Sequence, residues 1–331
     1  MALVSTQSDT RELGRIFATT VDDYLRTVED NAYNSHATLR AMMGAPGVRG
    51  SHAGGKRKQV PLTLTRPDKA DAVAEYGTFN TDPNKTRTAA LYNLSRYISP
   101  ITCENFEMIM HRQPQAVADL LELETDDARN DIEYRLNQDL SDDQGTNSNR
   151  LIGWESICPE TVSTGTLGGV SRVNNTLYRS ISVQNSALAA LVADMENAYT
   201  SVEDGQDMPN LVLCGRVARR RYVSQLTGTI RVDPLQIAKG GPADASMRDL
   251  LFGGARLVTD ADFQAWATGT GVAMVFANTK YIHWDIAQDF TAMEFVRPSN
   301  EDTMKGGLRH VSVFYCTRPN RQALVYDIKA S

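Results

Sequence analysis

Apolar residues recur at two spacings along this chain, and the changes between those spacings divide it. Over 20–43, Val21, Tyr24, Leu25, Val28, Ala32, Leu39 and Met42 fall at mostly helical intervals, broken by the polar run Asn34, Ser35 and His36. This predicts an amphipathic N-terminal helix. GAPGVRGSHAGGKRK (44–58) follows, with five glycines and the cations Arg49, Lys56, Arg57 and Lys58. Such a stretch cannot pack a core, and it predicts a mobile or externally held segment. VPLTLT (60–65) alternates as a strand does, and TRPDKADAVAEYGTFNTDPNKTRT (65–88) returns to turn-rich polarity. Together, 47–88 predict a long two-stranded loop that projects from a body and has a partner elsewhere.

LYNLSRYISPI (91–101) is strand-like, and the strongest helical stripe comes next. From Pro114, the residues Val117, Leu120, Leu121, Ala128, Ile132, Leu136 and Leu140 predict a helix over 114–140 that stops at DDQGTNSN (142–149). At the standard rise it is a rod about 40 Å long. Between 114 and 143 there are ten acidic and two basic residues, Arg129 and Arg135. That bias reads either as a solvated face or as a negative surface toward a basic partner or an anionic interior.

Helical spacing returns in NSALAALVADMENAY (185–199), with Leu188, Leu191, Val192, Met195 and Tyr199 on one face, and in RVARRRYVSQL (216–226). NLVLCG (210–215) and GARLVTDAD (254–262) read as strands. VAMVFA, KYIHWDI, TAMEFV, RHVSVFYC and QALVYDI, all within 271–331, read as an antiparallel meander. The prediction is an α+β protein. A long helix packs near a sheet with strands from both 89–110 and 271–331, an α/β insertion lies between, and the domain is discontinuous.

With 331 residues and 41% apolar content the chain can build a sizeable core. A net charge of −6 argues against a surface that binds nucleic acid broadly through its phosphates. Cys103, Cys158, Cys214 and Cys316 lie far apart with no C-x-x-C pair, which suggests neither a disulfide framework nor a zinc site and suits a reducing compartment. The N-terminus lacks the pattern of a secretory signal, and no apolar run is long enough to cross a membrane. A soluble protein that is not exported by the usual route is expected.

The stretch TVSTGTLGGVSRVNN (161–175) sets glycines beside hydroxyls and a cation, as a phosphate-binding loop would. GTLGGV nevertheless fits neither the Walker spacing, which needs a following lysine, nor the dinucleotide fingerprint, so a structural turn is the reading. His36, His52, His111, His283 and His310 show no metal-binding spacing, DDQGTNSN lacks the order of a calcium loop, and Cys158 has no evident base. Accordingly no catalytic residue, cofactor or metal is expected. The cations of 49–58 lack aromatic neighbours for base stacking, so docking on an acidic neighbour is the simpler account. RVARRRY (216–222), spread around a helix, reads as a solvated face.

The order of these parts resembles the major capsid proteins of tailed bacteriophages, with the Hong Kong ninety-seven fold, over about 20–328. The most specific segment is NQDLSDDQGTNSNRLIGWESICPETVSTGTLGGVSR (137–172), supported by EYGTFNTDP (75–83) and FANTKYIHW (276–284). The resemblance implies an N-terminal arm (1–46), an extended E-loop (47–88), a P-domain with its spine helix (89–149, completed by 271–331) and an α/β A-domain (150–270). It implies that Arg49, Lys56, Arg57 and Lys58 of the E-loop contact a neighbouring subunit. Trp154, Gly165, Gly168, Gly169 and Arg172 would form the turn from P-domain to A-domain, with positive φ at the glycines and Arg172 tied to a carboxylate or carbonyl. The implied function is structural: pentamers and hexamers of the chain build an icosahedral head around double-stranded DNA, in the virion, after assembly in the host cytoplasm. A separate scaffolding protein, a portal and a decoration protein are the implied partners, and no membrane is. Some members crosslink a loop lysine to an asparagine beside a glutamate. Lys56, Lys58 and Lys69, with Asn300 and Glu301, are residues of those types without diagnostic spacing. An encapsulin-like compartment is the alternative on the same fold, and an α/β enzyme with a glycine-rich ligand loop is the alternative from another class.

Overall fold

The computed structural model describes residues 36–65, 70, 72–73, 75, 77–78, 86–104, 114–142, 147, 149–185, 187, 190–229, 250–261, 263, 272–299 and 301–328, with side chains from 123 onward in the helix that starts at 114 and up to 226 in the one that ends at 229. Among them lie two larger sheets and two small strand pairs. The elements in chain order are α1 (Ala37–Gly44), β1 (Arg49–Ser51), β2 (Arg57–Thr63), β3 (Arg87–Asn93), β4 (Ser95–Glu104), α2 (Pro114–Ser141), α3 (Trp154–Ile157), β5 (Thr166–Leu167), β6 (Val170–Ser171) and β7 (Ile181–Gln184). They continue as α4 (Leu191–Val202), β8 (Leu211–Cys214), α5 (Arg216–Thr229), β9 (Leu251–Phe252), β10 (Ala255–Thr259), β11 (Val272–Ala277), β12 (Ile282–Val296), β13 (Thr303–Cys316) and β14 (Ala323–Ile328).

The four-stranded sheet has the order β1-β12-β13-β4, and the six-stranded sheet β7-β14-β11-β8-β10-β9. The strands of 271–331 therefore divide between two sheets instead of forming one meander. Composition explains the division. VAMVFA does not alternate, because β11 is buried at every position. Ala273, Val275 and Ala277 pack into the cluster that holds Trp154 and Trp284, while Val272, Met274 and Phe276 pack with Tyr199 and Tyr222. A strand that is apolar on both faces must lie inside a covered sheet. β12 instead becomes exposed along its second half and can only belong to an open one.

Of the stripe expected on α2, Ala128, Ile132, Leu136 and Leu140 are buried over the four-stranded sheet, and the side chains of Val117, Leu120 and Leu121 lie outside the described residues. Leu39 and Met42 of α1 join the same core, and the Leu39 N–H donates to Asn137 Oδ1 at 3.0 Å. Asp139, also buried, is held by Arg135 at 3.2 Å and accepts a 2.6 Å bond from the Tyr97 hydroxyl. That carboxylate and burial push the Tyr97 phenol well up. Of the N-terminal helix expected over 20–43, only its end lies within the described residues. The helix expected over 185–199 begins at Leu191 instead, because the Asn185 N–H extends the pairing of β7 with β14 by donating to Tyr326 O at 2.9 Å, and its side chain bonds Asp194 in the new first turn.

Candidate functional site

β2 and β3 pair antiparallel from Arg57 with Asn93 to Thr63 with Arg87, which makes the base of a ribbon. Most of 66–85, including Lys69, lies outside the described residues. Val60, Leu62, Ala90 and Tyr92 bury one face of this base. The glycine-rich stretch holds it there. β5 and β6 form a minimal hairpin whose two-residue turn is Gly168 and Gly169, at φ of +57° and +77°. Positive φ at both central residues is what a type I′ hairpin turn needs, and side chains rarely permit it. At Gly168 an added Cβ would meet Ala90 Cβ at 2.9 Å and the Tyr92 ring at 3.0 Å, while the Leu91 N–H donates to Gly168 O at 2.9 Å. The stretch is thus a clamp on β3 as well as a turn.

Arg172 closes the clamp from beneath. It is buried, and its Nη2 donates to the carbonyls of Ser156 and Ile157 at 2.5 and 3.0 Å, at the end of α3. Its own N–H donates to Gly165 O at 3.1 Å, and Gly165 has φ of +78°. Burial lowers the pKa of the guanidinium. Trp154 opens α3, is fully buried and meets Phe314 edge to face at 5.9 Å. Gly153 precedes it with no room for a side chain, since a Cβ would lie 1.9 Å from Asp142 O at the end of α2. Trp154, Gly168 and Arg172 therefore connect helix end, ribbon base and four-stranded sheet, while Gly165 and Gly169 are exposed at the surface. The Tyr92 hydroxyl adds bonds to Tyr178 at 2.8 Å and to Cys316 O at 3.1 Å.

The four loop cations split into two pairs. Arg49 lies in β1, which runs parallel to β12, and reaches Asp289 at 2.6 Å. Lys58 binds Asp285 at 2.5 Å and lies over the Tyr315 ring. Both are satisfied within the chain, and Asp285 chiefly raises the Lys58 pKa. Lys56 and Arg57 are exposed and, among the described residues, make no ion pair. Sequence reasoning missed Asp285 and Asp289, which no local pattern marks.

Of the crosslinking types, Asn300 and Lys69 lie outside the described residues, and Glu301 is bonded by Lys305 and Thr303. Four of the five histidines are described and stand apart; His111 lies outside the described residues. All four cysteines are free and buried, and burial pushes the Cys158 and Cys214 thiols up to about 12. Such thiols stay protonated and are poor nucleophiles near neutrality. DDQGTNSN falls partly outside the described residues, and among the described residues no group of His, Cys, Asp and Glu is arranged to hold a metal. No described helix is long and apolar enough to cross a membrane.

No family model and no curated protein matches the chain. Solved structures do. The cyanophage A-1(L) capsid asymmetric unit superposes with a TM-score of 0.66 at 15% identity, over 93% of this chain and 97% of that one. An encapsulin complex from Synechococcus elongatus gives 0.60 at 9% identity, over 100% and 98%. The capsid of an empty GTA particle gives 0.59 at 12%, over 99% and 100%. The likeness spans both sheets, the ribbon base and the long helix, and the chain has the Hong Kong ninety-seven-like α+β fold of these capsid and encapsulin shells.

Proposed function

We propose that the chain is the major capsid protein of a tailed phage, which self-assembles as pentamers and hexamers into a closed head around double-stranded DNA, without catalysis. The observation that carries this reading is the end-to-end likeness to shell subunits. The surface left bare agrees with it. The second half of β12 is exposed from Thr291 to Val296, including Met293, Phe295 and Val296. Among the described residues, β12 from Gln288 onward has only β13 beside it, and a long unpaired apolar edge is a liability unless a neighbour covers it. In a shell, copies related by symmetry cover such elements, and many modest contacts sum.

In this reading 47–88 is the E-loop, with Lys56 and Arg57 free for a neighbour while Arg49 and Lys58 anchor its root. The four-stranded sheet and α2 are the P-domain, and most of the six-stranded sheet is the A-domain. Asp126, Asp127 and Asp131 leave α2 acidic on its exposed side, a surface that would not adhere to packaged DNA. Scaffolding, portal and decoration proteins are its expected partners, and the virion its place. The encapsulin likeness supports a second reading, a compartment around an enzyme cargo. Electron microscopy of purified protein, with analysis of shell contents, tests both. Closed icosahedral shells with nuclease-protected DNA are expected. Shells filled with one cargo protein would favour the compartment, and a dispersed monomer at high concentration would refute both.

A further inference from the structure

The segment 47–52 is held to the body by little backbone pairing, by the buried Val48 side chain and by the Arg49–Asp289 ion pair, with two histidines beside it. β1 adds three residues in parallel to Trp284–Ile286, with Trp284 N–H donating to Val48 O at 2.7 Å and His52 N–H to Ile286 O at 3.1 Å. At its start, the His283 ring hydrogen-bonds the Gly47 backbone, packs on Tyr315 at 5.2 Å and faces Asp285 and Lys58. At Arg49, the carboxylate of Asp289 is shared: Oδ2 takes the guanidinium at 2.6 Å, and Oδ1 lies 3.4 Å from His310 Nδ1. His310 is 1% exposed, with Ser312 Oγ at 3.1 Å from Nε2 and the Phe290 ring 5.1 Å away. Glu133 also acts on it, and Arg129, paired with Glu133, lies against Phe290 at 5.0 Å. The register of β12 slips between Gln288 and Thr291, with Phe290 at φ +39°. Strained bulges of this kind aim side chains and persist where the surroundings hold them.

We propose that 47–52 is a proton-operated clasp, closed while His310 is neutral and released from β12 when His310 takes up a proton. The reason is competition for one carboxylate. A cationic His310 draws Asp289 from Arg49, whereas a proton on His283 favours its bond to Gly47 and its attraction to Asp285 and does not contribute to release. Burial, with Arg49 nearby, disfavours the His310 imidazolium and holds the group below the ordinary value of 6.5. The closed state therefore binds fewer protons than the released one. It is favoured above about pH 6.5 and loses ground as the pH falls toward the lowered value, by at most about tenfold per pH unit. The clasp is a property of the chain and does not depend on the shell reading. In a shell, its release would re-aim the ribbon that β2 continues.

Hydrogen exchange of the full chain, corrected for the intrinsic pH dependence of exchange, tests the clasp at about pH 7.5 and about pH 5.5. Protection of the His52 and Trp284 amides should fall by up to about tenfold at the lower pH, while amides pairing β13 with β4 hold. A H310Q variant should keep the clasp protected at both values. Equal protection of the wild type at both pH values, a fall that persists in the variant, or an equal loss in β13 would each overturn the proposal. Should that variant not fold, the wild-type comparison stands, and Arg49→Gln should show weak clasp protection already at the higher pH, a strong pH-dependent clasp in that variant counting against the proposal.

Discussion

The six-stranded sheet finishes its core within one chain, whereas the four-stranded sheet does not. Every residue of β8 and β11 is buried, with α4 and α5 packed on the strands and Tyr199, Phe252 and Phe276 meeting edge to face. In the other sheet, β12 starts largely buried and ends exposed. The contrast separates two uses of apolar residues. Those of the first sheet stabilise the fold, and those at the far end of the second would, in the proposed shell, be covered by neighbouring copies.

Substitutions should separate the two uses. Phe276→Ala removes a ring from the closed core and should cost about 3–5 kcal/mol in urea unfolding of the unassembled chain. Gly168→Ala should cost less, about 1–3 kcal/mol, since it adds a Cβ at positive φ against Ala90 and Tyr92. Its signature is lost exchange protection at Leu91, whose amide bonds Gly168. Phe295→Ala should change unfolding by under about 1 kcal/mol, because the ring is 38% exposed and rests mainly on Gly306. Smallest of all, Lys56→Gln should leave unfolding unchanged within about 0.5 kcal/mol and slow only the association of subunits, an effect that fades with added salt. A large loss from Phe295→Ala in the single chain, or none from Phe276→Ala, would break the contrast.

Much of this was legible in the sequence, for physical reasons that differ by element. The stripe of α2 has a period that only a helix satisfies, and four of its members are buried as the pattern requires. The turn at Gly168 and Gly169 was readable because consecutive glycines mark positive φ, but its use as a clamp was not, since Ala90 and Tyr92 lie far away along the chain. The division of 271–331 between sheets had a signal in the unbroken apolar run VAMVFA, whose lack of alternation means burial on both faces. β1 had none. Three residues carry no period, and the carboxylate that holds Arg49 lies 240 positions later. The loop cations were legible as charges, and their division into anchored and free pairs was not.

Sedimentation of the wild type beside a Met293→Asp/Phe295→Asp variant tests most directly the claim that neighbouring copies complete the second sheet. The wild type should sediment as a closed particle, and the variant as a small folded species with the same thermal midpoint as the unassembled wild-type chain. Particle formation by the variant, or its unfolding under conditions where the unassembled wild type stays folded, would contradict the account.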